Sequence, residues 1–173
     1  MKLLLAAVVV MCAAFSGCKP ETREPVEKNE TGIPTEAQPK LQTVKLWLGA
    51  AEIEAELALT DQQRRTGMMF RKEMGENEGM LFVFPVAHQT GFWMKNTFVP
   101  LSAAYVDPAG VIVEIHDLQP QDTNNVPSVS NNIVYVLETP QGWFKRHNVE
   151  TNTLVMTEHG TLSSVFSPGG HPR

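Results

Sequence analysis

Apolar and polar residues alternate from Thr43 to Leu48 and again over residues 52–59. In the second run Ile53, Ala55, Leu57 and Leu59 share one face, while Glu52, Glu54 and Glu56 share the other. Successive side chains of a strand point to opposite faces, so each run predicts a half-exposed strand, and Gly49 between them predicts a hairpin. Thr60 followed by Gln63 has the spacing of a capping box, and Gly67 supplies a stop; together they predict a helix of one or two turns. Stretches rich in aromatic and β-branched residues at 80–84, 91–95, 101–106, 111–118 and 133–138 predict further strands. Asp107-Pro108-Ala109-Gly110 fits a type I turn joining 101–106 to 111–118, with proline at the position whose φ its ring presets. Pro140 opens a second short helix ending near His147, which puts Trp143 and Phe144 toward the core and Lys145 and Arg146 in the last turn, where the dipole favours cations. A final strand spans 153–157, and residues 119–132 form a long polar loop without periodicity. These elements predict an α+β fold, predominantly β: one compact, strongly twisted sheet or small barrel with two short helices.

Both ends depart from this pattern. Residues 3–15 are an apolar run, preceded by Lys2 and followed by Ser16, Gly17 and Cys18, which is the layout of a secretory signal. A run of this length falls short of the roughly 20 residues needed to cross a bilayer core. Phe15-Ser16-Gly17-Cys18 resembles the bacterial lipobox, in which the cysteine becomes the acylated first residue of the mature protein; Phe15 departs from the leucine that pattern prefers. That resemblance makes residues 1–17 a lipoprotein signal peptide and Cys18 the lipidation site. It also places the protein in the bacterial cell envelope, held to the membrane by acyl chains. Lys19 after the cysteine leans toward the outer membrane, facing the periplasm. The alternative is a soluble periplasmic protein cleaved nearby. Within residues 18–40, Pro20, Pro25, Pro34 and Pro39 lie among alternating charges with few apolar side chains, so this segment is expected to be a flexible, semi-extended tether. The domain then runs over residues 41–160, and residues 161–173 are expected to be a disordered tail.

Composition narrows the function classes. With 14 Lys+Arg against 19 Asp+Glu the net charge is −5. No concentrated basic face is visible, which argues against a nucleic-acid partner. An acidic body also opposes docking on anionic lipids, so membrane attachment rests on the acyl chains. Cys12 and Cys18 are the two cysteines and both precede the domain, which excludes a disulfide scaffold or a cysteine metal cluster within it. Met68, Met69, Met74, Met80 and Met94 cluster around His88. Thioethers and imidazole suit Cu(I), giving a copper-handling alternative. Methionine is also an adaptable core filler, and Met80 and Met94 lie on predicted apolar strands, so core packing is favoured and no metal or cofactor is assigned. His116, His147 and His159 lack ligand spacing. No serine, Ser102, Ser128 and Ser130 included, stands in a Gly-x-Ser-x-Gly frame, and no residue is assigned as catalytic.

The most distinctive stretch is Phe92-Trp93-Met94-Lys95-Asn96-Thr97, followed by Pro100-Leu101. With Gly67-Met68-Met69-Phe70-Arg71, Gly79-Met80-Leu81-Phe82-Val83-Phe84, Val136-Leu137-Glu138 and Gly142, it resembles the domain of unknown function 192 family, a prokaryotic group with many exported members. The resemblance covers about residues 44–156 and implies a compact, mainly β fold with no established reaction. Gln63 stands where that family often has Glu, Met68 where Leu is common, and Ser102 where an Asp usually follows Pro-Leu.

Arg71, Trp93, Lys95, Asn96, Thr97 and Glu138 are the ligand-binding candidates. In one reading Arg71 and Lys95 bind an anion beside a Trp93 platform, the guanidinium fork matching a carboxylate or phosphate. In the other, Arg71 or Lys95 bridges to Glu138 structurally and Asn96 closes a turn by bonding to backbone. The leading expectation is a lipid-anchored envelope module that binds a small anionic ligand or an envelope protein. An envelope hydrolase with a site near Lys95 and Glu138 is the enzymatic alternative.

Overall fold

The computed structural model of the protein describes residues 32–166. Cys12, Cys18, most of the predicted tether and the last residues of the predicted tail lie outside the described residues.

The alternating segments form the expected hairpin. Strand β1 (Thr43–Leu48) pairs antiparallel with β2 (Ala51–Ala58), from Thr43 opposite Glu56 to Leu48 opposite Ala51. Ile53, Ala55 and Leu57 face inward as the pattern requires. Helix α1 (Asp61–Thr66) starts at the predicted box: Gln63 N donates to Thr60 Oγ1 at 3.2 Å and Thr60 N donates to Gln63 Oε1 at 2.8 Å. It stops at Gly67, whose φ of 46° is a conformation that glycine adopts without Cβ strain.

The chain then crosses over to β3 (Glu78–His88), which lies parallel to β2 and antiparallel to β8 (Ile133–Pro140). Strands β5 (Leu101–Val106) and β6 (Ile112–Leu118) form a second hairpin across the 107–110 turn, closed by Gly110 N donating to Asp107 O at 3.0 Å. With β9 (Val155–Thr157) and β10 (Gly160–Thr161) the order is β10-β9-β1-β2-β3-β8-β5-β6. This is an open, twisted, mixed sheet of eight strands, not a barrel. An isolated bridge between Val111 and Leu154 ties the start of β6 to the segment entering β9. A separate small sheet pairs β4 (Gly91–Phe92) with β7 (Val126–Pro127).

Strands β5 and β8, and β3 over residues 79–82, are buried on both faces, so these stretches read as largely apolar runs. Leu81, Ala104 and Leu137 enter a first core with the β1–β2 face, Trp143 and Phe144. Their chain neighbours Met80, Phe82, Ala103, Tyr105 and Val136 enter a second core with Met68 and Met94. Helix α2 (Trp143–Arg146) is shorter than the expected span from Pro140 to His147, because the backbone of Gly142 at φ 77° cannot join the helix.

Several expectations change. Residues 91–95 were expected as a strand, but pairing ends at Phe92, since the chain turns at Lys95-Asn96, with Asn96 at φ 57°. The loop over 119–132 contains β7, and Ser128 within it is buried. The expected tether does not reach residue 40 as free chain: Pro34 and Gln38 are buried, and Gln38 Nε2 donates to Gly67 O at 3.0 Å and Gln63 O at 3.2 Å. The expected tail begins too early at 161, because a third helix, α3 (Leu162–Val165), is capped by Thr161 and buries Leu162 and Phe166.

Candidate functional site

Side chains of β8 alternate between the two cores, and this places Glu138 beside Val136 on the second-core face, between Met80 of β3 and Ala103 of β5. Glu138 is only 3% exposed, and among the described residues its Oε2 has no hydrogen-bond partner. Loss of hydration disfavours the charged form, so burial raises this carboxyl to about 8 and keeps it protonated at neutral pH. It lines a small inner cavity of about 40 Å³ together with Thr97, Met68, Phe82, Phe92 and Trp93.

A larger cleft of about 630 Å³ lies alongside, walled by Ile33, Pro34, Met69, Phe84, Val86 and Phe92 among others. Arg64, Arg65, Met69, Phe92 and Trp93 line both spaces. The cleft exists because β3 leaves its partner: the register with β8 shifts between Val83 and His88, where Pro85 has no N–H to give to a ladder. Gly91 permits the close pass of β4, since a Cβ there would meet the Asn125 side chain at 2.4 Å. Residues 93–97 then fold over the second core through Met94 N donating to Asp122 O (2.7 Å) and Thr97 N donating to Met94 O (3.0 Å).

The two cleft arginines differ. Arg64 is committed to the fold: its Nη1 donates to Leu59 O and to Val83 O, the latter at 2.7 Å, its Nη2 pairs with Asp61, and its guanidinium lies 5.6 Å from the centre of the Phe84 ring. Arg65 is exposed and, among the described residues, has no ion pair or side-chain hydrogen bond. It is the free cation of the cleft.

Trp93, Thr97 and Glu138 line the inner cavity together, but the anion-binding reading needed Arg71 and Lys95 beside Trp93, and of these Lys95 alone reaches the Trp93 ring while neither lines the cavity. Arg71 pairs with Glu56 at 2.9 Å and lines neither space. Lys95 lies with Nζ 5.3 Å from the centre of the Trp93 ring and, among the described residues, bridges to no carboxylate. The expected bridge from Arg71 or Lys95 to Glu138 is thus absent, because both cations find other partners near the surface and Glu138 sits at mid-strand beneath them. Asn96 shapes its turn through a positive φ and its backbone carbonyl, which accepts from Phe70 N at 2.7 Å, and not through its side chain. Met68, Met80 and Met94 are core residues and Met69 walls the cleft, while His88 Nδ1 lies 3.0 Å from Val86 O. Ser102 Oγ donates to Asp117 at 2.5 Å and accepts from Gly142 N at 2.8 Å, so a hydroxyl ties the α2 entry to β6 where the family pattern usually carries a carboxylate. Arg65 and the wall from residues 32–34 were not identified from sequence; the signal for Arg65 was the pair Arg64-Arg65 on a helix with one nearby acid, Asp61.

Fold and site define a small, mainly β domain with an apolar cleft leading to a buried acid. The chain belongs to the DUF192 family, described as uncharacterized ACR, whose model matches residues 44–157. Two solved structures share the fold. One is from Sinorhizobium meliloti 1021 and provisionally described as a transcription regulator; it is 29% identical, with a TM-score of 0.65, over 70% of this chain and 98% of its own. The other, a protein of unknown function from Novosphingobium aromaticivorans DSM 12444, is 26% identical with a TM-score of 0.60, over 81% of this chain and 99% of its own. No curated protein matches the chain at a significant level.

Proposed function

We propose that the protein is a binding module for a small carboxylate with an apolar body, held in the cell envelope by acylation of Cys18. The observation that carries the reading is an apolar cleft of ligand size in which, among the described residues, the Arg65 guanidinium is the uncommitted charge. Clefts that hold small molecules typically measure about 300–1,000 Å³ and combine apolar walls with a few polar groups that set orientation. Burying a medium-length alkyl chain contributes roughly 0.8 kcal/mol per methylene, which supports affinities of about micromolar to millimolar once association costs are included. The regulator description of the Sinorhizobium protein is not carried to this chain, since a net charge of −5 offers nucleic acid no basic face.

Titration with octanoate while following tryptophan emission tests the ligand reading. Octanoate is expected to change the emission, Trp93→Phe to remove the response, and Arg65→Met to weaken binding of octanoate without affecting octanol. A titration with no Trp93-dependent signal refutes it. For the anchor, mass spectrometry of the mature N-terminus should show an acylated Cys18; an unmodified terminus starting elsewhere would refute that part.

A further inference from the structure

The cleft explains where an apolar body would lie but not why an acid is buried beneath it. Glu138 stands at mid-strand, its Oε2 without a hydrogen-bond partner among the described residues, in the wall of a cavity large enough for little more than one polar group. A buried polar atom without a partner is costly, and such groups are rare in native cores. Resting on the carboxylate reading above, we infer that Glu138 is the head-group contact: its carboxyl donates a hydrogen bond to the ligand's carboxylate in the inner cavity, and the apolar tail runs outward through the larger cleft.

The surroundings favour an anion over a cation. Arg64 and Arg65 of α1 are the cationic residues that line the inner cavity with Glu138, and the Arg64 guanidinium is turned to Asp61 and the carbonyls of Leu59 and Val83. From β5 the titratable neighbour is Tyr105, whose hydroxyl is engaged in donating to Val126 O at 2.6 Å. β3 contributes Met80 and Phe82, and the 93–97 segment contributes Trp93 and Thr97, none of them charged. An ammonium group would pass Arg65, which lines both spaces, and find no anion at the end while Glu138 is protonated. A carboxylate meets Arg65 on the way and an acid O–H at the end, a charge-assisted bond of the stronger class. Protonated acids retained in apolar pockets as hydrogen-bond donors are a known device for recognising oxygen anions.

The experiment is calorimetric titration of the full chain with octanoate near pH 6 and near pH 9, in buffers of differing ionisation enthalpy. Octanoate is ionised at both. Affinity should fall about tenfold at the higher pH, because only the protonated fraction of Glu138 binds. Near pH 8 binding should take up a fraction of a proton. Glu138→Gln keeps an N–H donor, so its binding should persist within a few-fold, lose its pH dependence and take up no proton. Glu138→Met should lose affinity at every pH; where that variant fails to fold, proton uptake by the natural protein decides. Octanoate binding that signals through Trp93 without pH dependence or proton uptake overturns this inference and leaves the carboxylate reading standing. Octylamine binding that strengthens with rising pH overturns it in favour of a cation site. Failure of octanoate to bind at all overturns both.

Discussion

Replacing Glu138 by Gln should raise stability at neutral pH and lower it in acid. An isolated glutamate titrates near 4.5, whereas burial holds Glu138 at about 8. Below pH 4.5 the carboxyl is protonated in folded and unfolded chains alike, and no cost arises. Between 4.5 and 8 the unfolded chain gives up its proton while the folded chain keeps it, so stability falls by about 1.4 kcal/mol for each pH unit. Above 8 both forms are ionised and the penalty levels off at on the order of 5 kcal/mol. Gln removes this dependence but leaves amide N–H groups without partners, at a cost of about 1–3 kcal/mol. The variant should therefore gain roughly 1–3 kcal/mol near pH 7.5 and lose a similar amount below pH 4.5. Urea unfolding followed by tryptophan emission across this range measures the difference. A gap between variant and natural protein that stays constant from pH 4.5 to 8 would refute the claim that the fold holds Glu138 neutral, and the head-group argument would go with it.

The remaining outcomes separate fold from site. Arg71→Met breaks the half-buried pair with Glu56 and should cost about 1–3 kcal/mol in chemical unfolding while leaving octanoate affinity unchanged. Lys95→Met removes a contact with the Trp93 ring that is worth no more than about 1 kcal/mol, so the melting temperature should hardly move while Trp93 emission shifts. Ser102→Ala leaves Gly142 N without its acceptor and should cost about 1–3 kcal/mol, which thermal melting would register. Gln38→Ala should release amide protection at residues 35–38 in hydrogen exchange without altering that of β2 or β8.

Strands β1, β2, β5 and β8 and helix α1 were legible because each carries its own local signal: alternation, β-branched runs, or the Thr60–Gln63 box. The parallel pairing of β2 with β3 was not, because it depends on which strands become neighbours and leaves no local mark. Residues 32–40 read as tether from their prolines and charges, yet Pro34 is buried in a bridge and the Gln38 amide donates to two carbonyls at the end of α1. Leu162 and Phe166 were too few to reveal α3. At the site, Trp93, Thr97 and Glu138 were legible as unusual residues within one set of segments. Their relation was not: alternation beyond Phe92 puts Lys95 beside Trp93, where the structure has it, but says nothing of Thr97, which the turn at Asn96 brings inward to the cavity with Glu138. Pairing Glu138 with a cation followed from the ordinary cost of burying a carboxylate; the fold meets that cost by keeping the acid protonated.

The most direct test of the central claim is an experimental structure of the protein with 8-bromooctanoate near pH 6, in which the anomalous signal of bromine marks the tail. Bromine is expected in the outer cleft, against Phe84 and Val86, with the ligand's carboxylate within hydrogen-bond distance of Glu138. A carboxylate held at the surface with Glu138 untouched, or bromine outside the cleft, would contradict that claim.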